Sequence, residues 1–425
     1  MTILIFLCTL LGSMAIGAPV ALALMISGVA LMLQLGNFDA QIIASNMVNG
    51  VDNFIFLAVP FFILAGELMN VGGLSKRIVV MAITLVGHLR GGLGYVVVVA
   101  SVLMASLSGS AIADSAAMAA LLLPMMKSAG YDEGRSAGLV AAGGIIAPII
   151  PPSIGLIMYG VVANVSITRL FIAGIAPGVL MGVMLAGVWW WLSRKSAATV
   201  TKRATGRDIL RALGTGFWAL MMPVIIVGGL RFGIFTPTES AVVAVAYALF
   251  VGAFIYKELT WRMVYQCLVS ASRTTAVVMF IVGAAFVSAW MITIANLPAQ
   301  LGALLSNVSS HPVALMAIMM GITIVVGTAL DFTPMVLILT PIMVPVAKAA
   351  GIDTVYFGVL FIMCVAIGLL TPPVGNVINV VASVSKLRFE EVVRGVWPFL
   401  LAEIFVVVLL VLFPELVLTP LAWLY

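Results

Sequence analysis

Ala147-Pro148-Ile149-Ile150-Pro151-Pro152-Ser153 reads as a helix forced open, and the chain repeats the device as Leu370-Thr371-Pro372-Pro373-Val374-Gly375-Asn376. Proline lacks an N–H and its ring clashes with the carbonyl one turn back, so each Pro-Pro opens the helix and exposes carbonyl oxygens. The two Pro-Pro pairs lie 221 residues apart. Working outward, Gly130, Gly174 and Pro177 recur at the same offset as Gly351, Gly395 and Pro398. Asp114 and Pro124 recur 217 residues on as Asp331 and Pro341, and Pro19 recurs 218 on as Pro237. Helix breaks that return in the same order imply two repeats.

The surroundings of these breaks are almost wholly apolar. Of 425 residues, 64% are hydrophobic and 8% charged, with a mean hydropathy of +1.27. A soluble chain carries roughly a quarter charged residues, so a polytopic helical membrane protein is expected, with no soluble domain. The net charge of +5 sits in short loops between spans. That distribution is a topology signal and speaks against a nucleic-acid partner. Cys8, Cys267 and Cys364 are far apart and read as buried small hydrophobes. His88 and His311 are isolated, so no transition-metal site is expected. No basic residue precedes the first apolar run, which argues against a cleaved signal peptide.

Apolar runs between breakers predict spans at 2–17, 19–35 and 54–71, a paired element at 93–107 and 111–127, then 135–162 and 170–193. The second half gives 217–233, 237–256 and 274–294, a pair at 313–326 and 332–347, then 355–385 and 396–414. Arms of this length make roughly 21–26 Å of helix against a ~30 Å core, so the pairs are read as re-entrant hairpins. Each half then crosses five times, and an odd number inverts the second repeat. With the linker 194–216 placed inside, 17 of 20 basic residues fall inside; Arg169, Arg231 and Lys348 do not. That bias satisfies the positive-inside rule and puts both termini outside. Trp189–Trp191 read as an interfacial anchor. Segments 38–50, 75–90 and 258–272 read as interfacial amphipathic helices or as ordinary connections.

The chemistry is expected at the hairpin tips and the breaks. Ser106-Leu107-Ser108-Gly109-Ser110 and Gly327-Thr328-Ala329-Leu330 offer hydroxyls and turning backbone, hard oxygen donors suited to a weakly bound Na⁺. Pro148, Pro151, Pro152 and Ser153 form the facing wall in one repeat, and Thr371, Pro372, Pro373, Gly375 and Asn376 in the other. Paired breaks in two halves point to an ion and substrate site, with half-helix N-termini facing an anion. Ser108, Ser110, Ser153, Thr328 and Asn376 are the candidates to face it. Asp114 and Asp331 either tune the cation sites or anchor the hairpin helices. Glu67, Glu239 and Glu403 lack repeat partners and read as polar contacts between helices.

These motifs resemble a known family. Gly66-Glu67-Leu68-Met69-Asn70 with Gly72-Gly73-Leu74, SLSGSAIAD at Ser106–Asp114 and GGIIAPIIPPS at Gly143–Ser153 come first. FTPTE at Phe235–Glu239, ILTP at Ile338–Pro341 and GLLTPPVGN at Gly368–Asn376 follow in order. Over essentially the whole chain the sequence is similar to the large membrane subunit of tripartite ATP-independent periplasmic (TRAP) transporters, and to members assigned to sugar acids such as diketogulonate.

The resemblance implies Na⁺-driven uptake of an organic acid across a bacterial inner membrane, with a small four-helix membrane subunit and a periplasmic binding protein as partners. It also implies an elevator-type architecture in which 91–193 and 306–425 move against a scaffold of 1–90 and 217–305, with 194–216 as cytoplasmic linker. Carried over, one Na⁺ site comprises Ser106, Ser108, Gly109 and Ser110 with Pro148–Ser153. The other comprises Gly327, Thr328 and Asp331 with Thr371–Asn376.

Three other readings compete. A self-sufficient Na⁺- or H⁺-coupled anion carrier or antiporter would share the architecture. An intramembrane aspartyl protease would need Gly-x-Gly-Asp, whereas the contexts are Ala113-Asp114 and Leu330-Asp331. A channel is disfavoured by broken helices in both halves.

Overall fold

The computed structural model describes residues 2–194, 203–304 and 311–424. Lys195 and Lys202 of the basic linker, and the boundary expected near 305–306, lie outside them. The first half contains α1 (Thr2–Ala15), α2 (Val20–Gln34), α3 (Ala40–Val51), α4 (Ala58–Val71), α5 (Leu74–Val86), α6 (Gly92–Ser108) and α7 (Ala111–Ser128). It continues with α8 (Glu133–Gly144), α9 (Ile154–Ala163) and α10 (Ile167–Ser193). The second half contains α11 (Gly206–Arg231), α12 (Pro237–Phe250), α13 (Trp261–Ile294), α14 (Leu297–Leu304), α15 (Pro312–Gly327) and α16 (Phe332–Ala349). It ends with α17 (Thr354–Gly368), α18 (Asn376–Ser385), α19 (Phe389–Leu412) and α20 (Glu415–Leu424).

Every described element is helical, and eight helices are long and apolar enough to cross a membrane. Both proline-rich stretches interrupt their helices: α8 and α9 are separated at 145–153, α17 and α18 at 369–375. The hairpins pair α6 with α7 and α15 with α16. Inside each, a hydroxyl contacts a methionine of the other arm: Ser101 Oγ lies 3.3 Å from Met118 Sδ, Thr323 Oγ1 3.6 Å from Met343 Sδ. The halves interlock, since α7 packs on α18 and α16 packs on α9. Glycine permits a close approach between α8 and α19: a Cβ on Gly138 would stand 2.4 Å from the Gly395 carbonyl carbon.

Several expectations are corrected. Most of segment 258–272, from Trp261 on, is the start of α13, a continuous 34-residue helix of about 51 Å. Thr260 caps it, and no glycine or proline interrupts it before Gly283. α11 begins at Gly206, inside the expected linker, because Thr205 and Asp208 form a reciprocal capping box. Trp189 is buried, and its indole donates to Gly91 O at 2.8 Å; only Trp190 and Trp191 are exposed. Cys8 is exposed on the apolar outer face of α1, beside Leu7 and Leu11. Glu239 links no helices; it receives Thr236 N at 2.8 Å and completes the cap of α12. Glu403 is fully buried on α19, and neither carboxylate oxygen has a hydrogen-bond partner among the described residues.

Candidate functional site

The first hairpin turns at Gly109, whose φ of +61° is open to glycine at little cost. A second reason for glycine is space: a Cβ there would stand 2.6 Å from Pro152 O. The tip therefore rests on the backbone of the first break. Ser108 Oγ accepts from Ser110 N at 3.1 Å and donates to Asp114 Oδ1. Asp114 is 1% exposed, and its Oδ2 has no hydrogen-bond partner among the described residues. Ser110 caps α7, and buried Ser106 donates to Leu103 O at 2.6 Å. Across from the tip, Ser153 caps α9 by accepting from Leu156 N, and its hydroxyl donates to Pro148 O.

The second hairpin has a different tie. Asp331 caps α16, accepting from Phe332 N at 2.8 Å, and also accepts from Asn376 Nδ2 at 3.1 Å. That bond joins the hairpin to the first residue of α18 beyond the break. Gly375 precedes it with φ of +52°. Gly327 closes on the end of α17, where a Cβ would meet Gly368 Cα at 2.9 Å. Thr328 and Thr371 donate to Val325 O and Ile367 O, each at 2.8 Å. Around the first tip nearly everything is buried, whereas Asp331, Pro373 and Val374 of the second are exposed.

Both hairpins meet one cavity of about 450 Å³. Ser108, Gly109, Ser110 and Pro148 line it from the first repeat, Asp331, Phe332, Thr333 and Leu369 from the second. Of the other candidates, Ser106, Pro151, Pro152, Ser153, Gly327, Thr328, Thr371, Pro372, Pro373 and Gly375 stand outside its lining, and Asn376 adjoins it through Asp331. The opposite wall was not anticipated from the sequence. It comes from α4, with Ile63, Gly66, Glu67 and Asn70, and from α13, with Thr274 and Val278. Glu67 does join two helices there, accepting from Ser270 Oγ of α13 at 3.0 Å. Chemically, the cavity offers hydroxyls, the Asp331 carboxylate and broken-helix backbone on one side, and the Glu67 carboxylate within a partly apolar wall on the other.

Residues 7–416 match the family described as "Tripartite ATP-independent periplasmic transporter, DctM component". The chain belongs to the DctM family. This DctM chain is 53% identical over 423 residues to the 2,3-diketo-L-gulonate TRAP transporter large permease protein YiaN of Escherichia coli K12, covering the whole of both. It is 38% identical over 405 residues to the sialic acid TRAP transporter large permease protein SiaM of Vibrio cholerae, covering 95% of each. Against the C4-dicarboxylate TRAP transporter large permease protein DctM of Rhodobacter capsulatus it is 32% identical over 428 residues, covering 97% of each. Among solved structures, the YdaH transporter of Alcanivorax borkumensis superposes with a TM-score of 0.61 at 14% identity, covering 87% of this chain and 86% of that one. That likeness gives the fold, one of a membrane transporter. This DctM chain is thus a multi-pass TRAP large permease subunit and a transport protein, not an enzyme.

Proposed function

We propose that this permease imports an organic acid, a sugar acid by its relatives, together with Na⁺ after delivery by a periplasmic binding protein. The observation that carries the reading is the cavity where both hairpins and the edges of both helix breaks converge on the α4–α13 wall. The substrate class rests on the 2,3-diketo-L-gulonate, sialic acid and C4-dicarboxylate permeases to which the chain is similar.

The donor sets fit Na⁺. Asp114 Oδ2, unpartnered among the described residues, and Pro152 O against Gly109 are hard oxygen atoms of the kind a small cation takes. Ser106, Ser108, Gly109 and Ser110 with Pro148–Ser153 would hold one ion. Gly327, Thr328 and Asp331 with Thr371–Asn376 would hold another. Bound Na⁺ supplies positive charge beside an anionic substrate. The hydroxyls of Ser108 and Ser110 then orient that substrate at the mouth of the first hairpin.

Transport proceeds as an elevator between two inverted repeats, with 91–193 and 306–425 as the moving block and 1–90 with 217–305 as the scaffold. The packing of α7 on α18 and of α16 on α9 supports a block built from both halves. A small four-helix membrane subunit completes the assembly in the inner membrane, with both termini periplasmic. The test is uptake of radiolabelled 2,3-diketo-L-gulonate by proteoliposomes holding both membrane subunits, with the binding protein outside. Uptake should need both an inward Na⁺ gradient and the binding protein. Uptake that persists with choline in place of Na⁺ refutes the coupling. Uptake without the binding protein favours a self-sufficient carrier.

A further inference from the structure

Every substrate class considered above is anionic, yet the cavity wall carries two carboxylates, Glu67 and Asp331, and no lysine or arginine. A carboxylate substrate leaving the hairpins thus faces like charge on both sides. A cation stands beside the lining, in a neighbouring hollow. Arg273 adjoins Thr274, which lines the cavity and also a second, open hollow of about 410 Å³ on the flank of α13. Gln266, Ser270 and Arg273 line that hollow, at helical spacing on one face with Thr274. From Gln266 to Thr274 this polar face runs for about 12 Å. Ser270, in the hollow, donates to Glu67, in the cavity, so the two spaces meet through a hydrogen bond and a shared residue.

Arg273 is exposed and, like most basic residues of the chain, has no ion-pair partner among the described residues, so its guanidinium is open to a ligand. The positive-inside rule asks only for a cation near this end of α13 and is indifferent to the face that bears it. Here the cation stands on the face that leads into the cavity.

We propose that Arg273 receives the substrate carboxylate at the cytoplasmic mouth of the cavity and offsets Glu67 along the exit. A planar guanidinium can take a carboxylate through two parallel hydrogen bonds, which lysine cannot reproduce. This inference rests on the transport reading and adds a residue to the same site.

The test is equilibrium binding of radiolabelled 2,3-diketo-L-gulonate to the purified two-subunit permease in NaCl, alongside wild-type uptake and melting temperatures. Arg273→Gln should weaken binding about tenfold, the scale of one lost charge-assisted bond, without moving the melting temperature. Arg273→Lys should lie between it and wild type. Binding by Arg273→Gln within twofold of wild type overturns the role of Arg273, as does reduced membrane yield with unchanged affinity, which marks a topological role alone. Wild type that neither binds nor takes up the anion overturns the transport reading, and this inference falls with it.

Discussion

Asp114 anchors the tip of the first hairpin, which turns at Gly109. Its carboxylate fixes Ser108 at the tip, yet one oxygen stays unpartnered in a fully buried position. A buried carboxylate is costly unless paired with a donor or a cation, so the free oxygen argues for a role beyond anchoring. Asp114→Asn keeps the shape and an acceptor for Ser108 while removing the charge. We expect the Na⁺ concentration for half-maximal uptake to rise about tenfold, one charge-assisted hydrogen bond's worth, with little change in melting temperature. Ser108→Ala should instead lower the melting temperature, because it leaves Asp114 without its donor. Unchanged Na⁺ dependence in Asp114→Asn would reduce the residue to an anchor. Position and repeat symmetry made Asp114 visible in the sequence. Glu239 was misread as a contact between helices, although Thr236-Pro237-Thr238-Glu239 has the spacing of a capping box, a local pattern that outranks a long-range contact. Glu403 offers no such pattern, and its burial follows from how α19 packs.

Among elements, the tie between α16 and α18 sets the two repeats apart. In the first repeat the aspartate bonds within its own hairpin; in the second, Asp331 reaches across to Asn376 beyond the helix break. Asp331 and Asn376 therefore couple hairpin position to break geometry. A double-mutant cycle with Asp331→Ala and Asn376→Ala should give a coupling of about 1 kcal/mol in unfolding stability, typical of one side-chain hydrogen bond. Additive effects would mean the bond does not hold the elements together. The helices themselves were legible because glycine and proline punctuate an apolar chain, and the hairpins and both breaks fall where those residues put them. What escaped was the partner wall. Nothing local in Ile63–Asn70 or Thr274–Val278 indicates that α4 and α13 close the cavity, because that depends on distant halves coming together. The full length of α13 was legible in the absence of any breaker, but its polar face near Arg273 made its first three turns resemble a surface helix.

For the whole molecule, the repeat makes a claim about sidedness that can be tested without any substrate. Ser128 ends α7 and Ala349 ends α16, at matched positions 221 residues apart, and both are exposed. If the halves were related without inversion, equivalent residues would face the same side of the membrane. Five crossings per half would place them on opposite sides, and the distribution of basic residues would then assign Ser128 to the cytoplasm and Ala349 to the periplasm. In a background with Cys8→Ser, which removes the exposed native thiol, single Ser128→Cys and Ala349→Cys variants report on this directly. A membrane-impermeant thiol reagent applied to intact spheroplasts should label Ala349→Cys and spare Ser128→Cys; inside-out vesicles should reverse the pattern. Labelling of both from one side would remove the inverted repeat, and with it the elevator built from two opposed hairpins. Opposite labelling fixes the geometry within which the Na⁺ and substrate experiments must be read. A hairpin entering from each side can then open the shared cavity to one compartment at a time.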